Sequence, residues 1–259
     1  MHNIALQRIY NMEICSFGVG ERIGFCEQIL RERAADLPCG RLVLLPIPTS
    51  RDNRYITGTT AEHRDILHLV DSTTAVVGYN IPPRIIREAE NVGARVYDAE
   101  GDEVFLVENA ELTARGTIGY ILTNEKRDLS ELSIGVIGYG RIGMRLVRWL
   151  LLFGADVTVY TRRQSLAIEL CEMGISAVVP GGECVLSGLD ILINTAPERQ
   201  IDDNSLSEKT KLIDLASGNV FASSARVIRL PGVPEQMYPM TAGRLYAEGV
   251  IRNLRGDTQ

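Results

Sequence analysis

Several chemistries are hard to build from what this sequence lacks. It holds only three histidines, His2, His63 and His68, and five cysteines, Cys15, Cys26, Cys39, Cys171 and Cys184. There is no C-x-x-C pair and no histidine at ligand spacing. Such an odd, scattered set reads as reduced cytosolic thiols, not as a disulfide framework or a zinc site. No Ser-His-Asp order, G-x-S-x-G or H-E-x-x-H is present, so the familiar signatures of nucleophilic and zinc hydrolysis are missing. No run resembles a signal peptide, and the most apolar burst, WLLLFGA, is far too short to cross a bilayer. Positive charge is not in excess either. The 27 Lys and Arg stand against 33 Asp and Glu, for a formal net charge of −6, which argues against a protein drawn to nucleic acid or anionic lipid. The expectation is a cytoplasmic protein with no metal, no nucleic-acid partner and no membrane association.

What the chain does have is alternation. Its 259 residues, 45% hydrophobic and 23% charged, suit one large domain or two smaller ones. In the first half MEICSF, RLVLLPI, TTAVVGY and ARVYD read as strands. ERIGFCEQILRERAA and PPRIIREAENVG read as helices between them, the second with Pro82 and Pro83 at its start. NAELTARGTIGYIL reads as a long helix, with the polar stretch TNEKRDLSEL after it as the domain boundary. In the second half LSIGVIG, ADVTVY, SAVV, LDILINT, TKLIDLA and ARVIRL are the strands of a sheet of about six. PGVPEQMYP reads as a loop, and TAGRLYAEGVIRNL as a last helix that returns to the first domain. The pattern predicts an α/β protein of two Rossmann-like, doubly wound domains, the first one shortened. Residues 1–122, with the returning helix 241–254, make the substrate-side domain, and residues 130–235 the nucleotide domain.

Gly138, Gly140 and Gly143 spell G-x-G-x-x-G between a strand and a helix. The first glycine permits a tight turn, the second lets backbone approach a pyrophosphate, and the third lets helix pack on strand. The helix N-terminus adds unpaired N–H donors for the phosphates. A lone motif of this kind is weak, but here a second strand follows about twenty residues on, the spacing a dinucleotide site needs. An NAD site usually ends that second strand in Asp or Glu, to bind the ribose 2′-hydroxyl. This chain has Thr161, Arg162 and Arg163 there, with no acid. A guanidinium pairs well with phosphate, so NADP is the expected cofactor. A solvated basic turn is the other reading.

GYGRIGMRLVRWLLLFGADVTVYTRR, EMGI, LDILINTAP, LIDLAS, LPGVPEQMYPMTAG and NAELTARGTIGYIL, taken together, resemble one family, the A subunit of dipicolinate synthase. More distantly they resemble D-2-hydroxyacid dehydrogenases and S-adenosylhomocysteine hydrolases. The resemblance implies a cofactor in the second domain and a substrate cleft between the two. It implies NADP-dependent oxidation of a dihydrodipicolinate-type ring to pyridine-2,6-dicarboxylate, a spore component, and hence a role in sporulation. A flavoprotein-like B subunit is the implied partner, and a homo-oligomer the expected assembly. By match to the motifs, the loop Gly138, Tyr139, Gly140, Arg141, Ile142 and Gly143 would line the pyrophosphate. Thr161, Arg162 and Arg163 would meet the adenosine ribose, and Thr195, Ala196 and Pro197 would pass under the cofactor. Pro231, Gly232 and Pro234 would lie near the nicotinamide, and Thr241, Ala242 and Gly243 would start the returning helix. The chain departs from the family where FGVGERIG replaces a Gly-Gly-Asp-Ala-Arg-like loop, with Gly18 and Arg22 in corresponding places. It departs again at Arg115, where the family has Glu.

No histidine–carboxylate pair of the hydroxyacid dehydrogenase kind stands at the later strand ends, and His63 and His68 in AEHRDILHLV read as a helix face. An aromatising oxidation needs less: a modest base or water suffices once the ring has been oxidised. The site must above all anchor two carboxylates. Ser50, Asn109 and Thr113 are the anchoring candidates, with Thr49, Arg51, Tyr79 and Asn80 near them at strand ends. Ordinary capping and turn chemistry is the competing account of each. Two other functions stay open: a different NADP-dependent reductase of a small carboxylate, and a non-catalytic NADP-binding or assembly protein.

Overall fold

The aliphatic runs lie in two parallel sheets in the computed structural model, which describes residues 12–180, 186, 188–198, 206–216 and 227–256. The chain divides into two units, Met1–Glu108 with Pro239–Gln259, and Asn109–Tyr238.

In the first unit β1 (Glu13–Ser16), β2 (Arg41–Leu44), β3 (Thr74–Gly78) and β4 (Arg95–Asp98) stand in the order β1-β2-β3-β4, and each neighbouring pair is parallel. Between them run α1 (Glu21–Glu32), the short α2 (His63–Leu67) and α3 (Pro83–Asn91). Side chains alternate across a strand, so Leu42, Leu44, Ala75 and Val77 face one layer with Cys26 and Leu30 of α1. Val43, Leu45 and Val76 face the other with Ile66 of α2 and Ile85 and Ala89 of α3. Helices on both faces explain why all five residues of β3 are buried and why the strands read as unbroken apolar runs. Each aliphatic side chain so buried contributes roughly 1.5–3 kcal/mol.

α4 (Glu103–Asn124) begins earlier than its apolar spacing suggests. The Asp102 carboxylate accepts the Phe105 N–H at 3.0 Å, an N-cap contact that starts the helix. Asn109 therefore lies inside α4 and not at its head. The first turns of α4 count with the first unit and the rest with the second. The polar stretch after α4 is bonded into the second unit. Arg127 pairs with Asp190 at 2.9 Å and Glu125 with Lys211 at 3.0 Å, and Lys211 is the chief cause holding the Glu125 carboxyl down to about 2.

The second unit holds β5 (Ser133–Ile137), α5 (Arg141–Leu152), β6 (Asp156–Tyr160), α6 (Gln164–Glu172), β7 (Ser176–Val178), β8 (Ile191–Asn194), β9 (Lys211–Asp214) and β10 (Val227–Arg229). Its sheet runs β10-β9-β8-β5-β6-β7, all parallel. This is the order of a dinucleotide-binding sheet, whose ligand crevice opens at the carboxyl end of the central strand. The segment expected as a loop contains α7 (Val233–Met237), entered through Gly232 in the left-handed region and with proline in its first turn. A Cβ on Gly116 of α4 would sit 2.4 Å from Val233, so only glycine lets these two helices approach.

α8 (Pro239–Arg255) packs on α1 in the first unit. A Cβ on Gly243 would sit 2.7 Å from the Arg22 carbonyl oxygen. Tyr246, fully buried, donates its hydroxyl to the Leu45 carbonyl at 3.0 Å, and Arg252 pairs with Asp102. Among the described residues no helix is long and apolar enough to cross a membrane, and Cys15, Cys26, Cys39 and Cys171 are free thiols. Cys184 lies outside the described residues.

Candidate cofactor site

The three glycines after β5 are glycine for three different reasons. Gly138 has φ +88°, a conformation open to glycine. Its N–H donates to the Tyr160 carbonyl at 2.8 Å, and a Cβ there would meet Thr195 Oγ1 at 2.9 Å. A Cβ on Gly143 would come 2.3 Å from the Gly138 carbonyl oxygen, so α5 can lie on the loop only without a side chain. Gly140 differs: it is exposed, and no heavy atom lies within 4 Å of where its Cβ would be. The protein's own packing does not need glycine at 140, whereas a pyrophosphate approaching backbone does. The first turn of α5, Arg141 to Gly143, carries no acidic residue and no side-chain cap, so its amides are aimed at whatever sits beyond Gly140. Tyr139 and Ile142 are half-buried beside this opening. The loop therefore fits a dinucleotide phosphate pair.

At the end of β6, Thr161 is buried, its N–H donating to the Val178 carbonyl at 3.0 Å and its Oγ1 accepting the Arg163 N–H at 3.3 Å. Arg162 and Arg163 are exposed, and Arg163 is the N-cap of α6. The strand end itself carries no acid, yet Arg162 Nη1 meets Glu198 Oε2 at 2.6 Å. The carboxylate arrives from the loop after β8. It can do so because β6 and β8 both border β5.

The loop leaving β8 is tied from below. Fully buried Asn194 donates Nδ2 to the Ala196 carbonyl and to Asp214 Oδ1, both at 2.9 Å, and its Oδ1 accepts the Ala196 N–H at 3.1 Å. Asp214 Oδ1 also accepts the Ala216 N–H at 3.1 Å, and its buried Oδ2 has no hydrogen-bond partner among the described residues. Thr195 Oγ1 donates to the Ile137 carbonyl at 2.8 Å. Thr195 and Ala196 are thus held against the glycine loop, while Pro197 is exposed beyond them. Asn194, Asp214 and Glu198 do not stand out in the motifs. The only sequence signal for the first two is a polar residue closing each of two apolar strands, INTAP and IDLAS. Pro231 and Gly232 are exposed, with Gln236 Nε2 donating to the Pro231 carbonyl at 2.6 Å.

The substrate-anchoring candidates make mostly local bonds. Ser50 Oγ donates to the Tyr55 carbonyl at 2.7 Å and closes a turn. Thr113 is buried, and its hydroxyl donates to the Asn109 carbonyl one helical turn back, at 2.8 Å. Asn109 is half-exposed. Thr49 is fully buried and accepts the Tyr79 N–H at 3.2 Å, which joins the ends of β2 and β3. Asn80 has φ +52° and gives its N–H to Asp98 at 2.8 Å; Arg51 is exposed.

Comparison with known proteins agrees with this geometry. Residues 110–226 match the family model of the D-isomer specific 2-hydroxyacid dehydrogenase, NAD binding domain. The dipicolinate synthase A subunit of Bacillus subtilis is 29% identical over 174 residues, which are 62% of this chain and 57% of that protein. The aligned stretch thus spans little more than half of the relative's length. The crystal structure of the dipicolinate synthase A subunit from Bacillus halodurans superposes with a TM-score of 0.75 at 19% identity, covering 95% of this chain and 98% of that one. The crystal structure of its Bacillus subtilis counterpart gives 0.74 at 19% identity over the same shares. At such identity these two superpositions speak for the fold. The second unit is thus similar to the NAD binding domain of D-isomer specific 2-hydroxyacid dehydrogenases, which fits a nicotinamide cofactor, and the chain is similar to the dipicolinate synthase A subunit.

Proposed function

We propose that this protein is an NADP-dependent oxidoreductase with the activity of the dipicolinate synthase A subunit, oxidising a dihydrodipicolinate-type ring to pyridine-2,6-dicarboxylate. The observation that carries the reading is the open space over Gly140 at the uncapped start of α5, beside two exposed arginines where NAD sites place an acid. In this role Gly138, Tyr139, Gly140, Arg141, Ile142 and Gly143 hold the pyrophosphate. Arg162 and Arg163 meet a 2′-phosphate above Thr161, and Thr195, Ala196 and Pro197 pass under the cofactor. Pro231 and Gly232 lie toward the nicotinamide, which supplies a two-electron acceptor when bound. Ser50, Asn109 and Thr113 are the proposed carboxylate anchors. The relative is by name one subunit of a synthase, which supports a second, partner protein, here a flavoprotein-like one. A homo-oligomer in the cytoplasm of a sporulating cell completes the proposal.

The cofactor half is tested by calorimetry with NADP and NAD. NADP is expected to bind more tightly, and Arg162→Ala to weaken it by about 1–3 kcal/mol, the scale of one charge-assisted contact, with NAD nearly unchanged. Equal affinities in the unmutated protein refute NADP preference. The substrate half is tested by melting temperature and absorbance. With NADP present, pyridine-2,6-dicarboxylate should raise the melting temperature, because a ligand of the folded state stabilises it by mass action. Dihydrodipicolinate should reduce NADP at the nicotinamide band.

One observation favours a non-catalytic NADP-binding or assembly protein: the Ser50 and Thr113 hydroxyl protons are already given to backbone carbonyls. A cofactor that binds but never turns over, with no melting shift from the dicarboxylate, would select that reading. A melting shift without turnover would point instead to another NADP-dependent reductase of a small carboxylate.

A further inference from the structure

We propose that Glu198 sets how strongly the site prefers a 2′-phosphorylated cofactor, by holding Arg162 until a 2′-phosphate takes its place. The inference rests on the reading of Arg162 as the phosphate-recognising residue. Arg162 follows β6 and Glu198 follows β8, and these strands border β5 on its two sides. Their ion pair at 2.6 Å therefore links the two loops that flank the glycine loop. Both side chains are well exposed, 61% and 65%, and an exposed pair of this kind is weak and readily exchanged. A 2′-phosphate would present its oxygens to the same guanidinium, and two anions within contact of one cation repel each other. NADP must then displace Glu198 from Arg162. NAD, which has a hydroxyl at that position, can leave the pair closed. Glu198 thereby lowers affinity for NADP and not for NAD, which moderates the preference that Arg162 creates. It is a carboxylate at the ribose end that the second strand of the sheet does not itself supply.

The test is a double-mutant cycle read by calorimetric Kd for NADP and NAD at one ionic strength, on the full chain with Glu198→Gln, Arg162→Gln and both together. Glu198→Gln is expected to tighten NADP by about three- to fivefold, the upper part of the roughly 1.4- to fivefold span of an exposed ion pair, with NAD within twofold of the parent. In the Arg162→Gln background the same change should have no effect on NADP. Melting temperatures of the exposed variants check that each is folded. An unchanged ratio of NADP to NAD affinity in Glu198→Gln overturns the inference. Equal tightening with and without Arg162 also overturns it, since that is general charge removal and not competition. A parent ratio that survives Arg162→Gln overturns instead the reading of Arg162 as the phosphate-recognising residue, and failure of the parent to bind either nucleotide removes both.

Discussion

The molecule contains two strand-to-helix loops with a G-x-G opening, one in each unit, and they do different things. In the first unit SFGVGER runs from β1 into α1; in the second VIGYGRI runs from β5 into α5. Both begin with a glycine in the left-handed half of backbone space, Gly18 at φ +98° and Gly138 at φ +88°, because the turn from strand to helix demands it. Both first glycines are close-packed, a Cβ on Gly18 striking Pro46 at 2.8 Å and one on Gly138 meeting Thr195 Oγ1 at 2.9 Å, and both second glycines, Gly20 and Gly140, are exposed. They diverge after that. Where the second unit has Gly143 at the third motif position, the first has the buried Ile23. Where α5 starts without an acid, α1 starts with Glu21, which disfavours a phosphate. A strand followed by G-x-G thus specifies a turn. What sets the second loop apart is a third glycine and an acid-free helix start, the two features that suit a nucleotide phosphate.

The largest effect that could break this contrast is at Gly140. Gly140→Val should take NAD(P) binding below detection by calorimetry with unchanged circular dichroism, because the valine side chain occupies cofactor space and no protein atom. Retained affinity would reduce the loop to a structural turn like the one in the first unit. Gly143→Ala comes next and should act on both properties. Its Cβ would press on the Gly138 carbonyl, so stability in urea is expected to fall by about 1–3 kcal/mol, with weaker nucleotide binding as the loop shifts. Gly18→Ala sharpens the comparison from the other side. Its strained backbone and the Pro46 contact should cost about 1–3 kcal/mol of stability, yet leave NADP affinity as in the parent. A change in NADP affinity from Gly18→Ala would mean that the first loop takes part in the site.

Much of this is readable in the residues. The apolar runs mark ten strands because parallel sheets covered on both faces need unbroken aliphatic stretches, and the glycine spacing locates the turn between β5 and α5. The apolar period places the start of α4 too late, because that start depends on one side-chain contact, Asp102 to the Phe105 amide. The shift moves Asn109 from a helix head into a helix, and it changes what Asn109 and Thr113 have available to offer a ligand. α7 leaves no mark in the pattern because a five-residue helix is too short to show a period.

The sequence by itself determined the parallel-sheet architecture, the place of the glycine loop after β5 and the basic character of the β6 end, since each is written in consecutive residues whose spacing follows helix and strand geometry. Tertiary structure alone decided which glycine faces space and which faces protein, because only neighbours brought from elsewhere in the chain can fill or spare that volume. It alone decided that Asn194 and Asp214 brace the loop above β8. It also put Glu198 against Arg162, 36 residues away in the chain, because strand order, which no local pattern encodes, sets β6 and β8 on either side of β5.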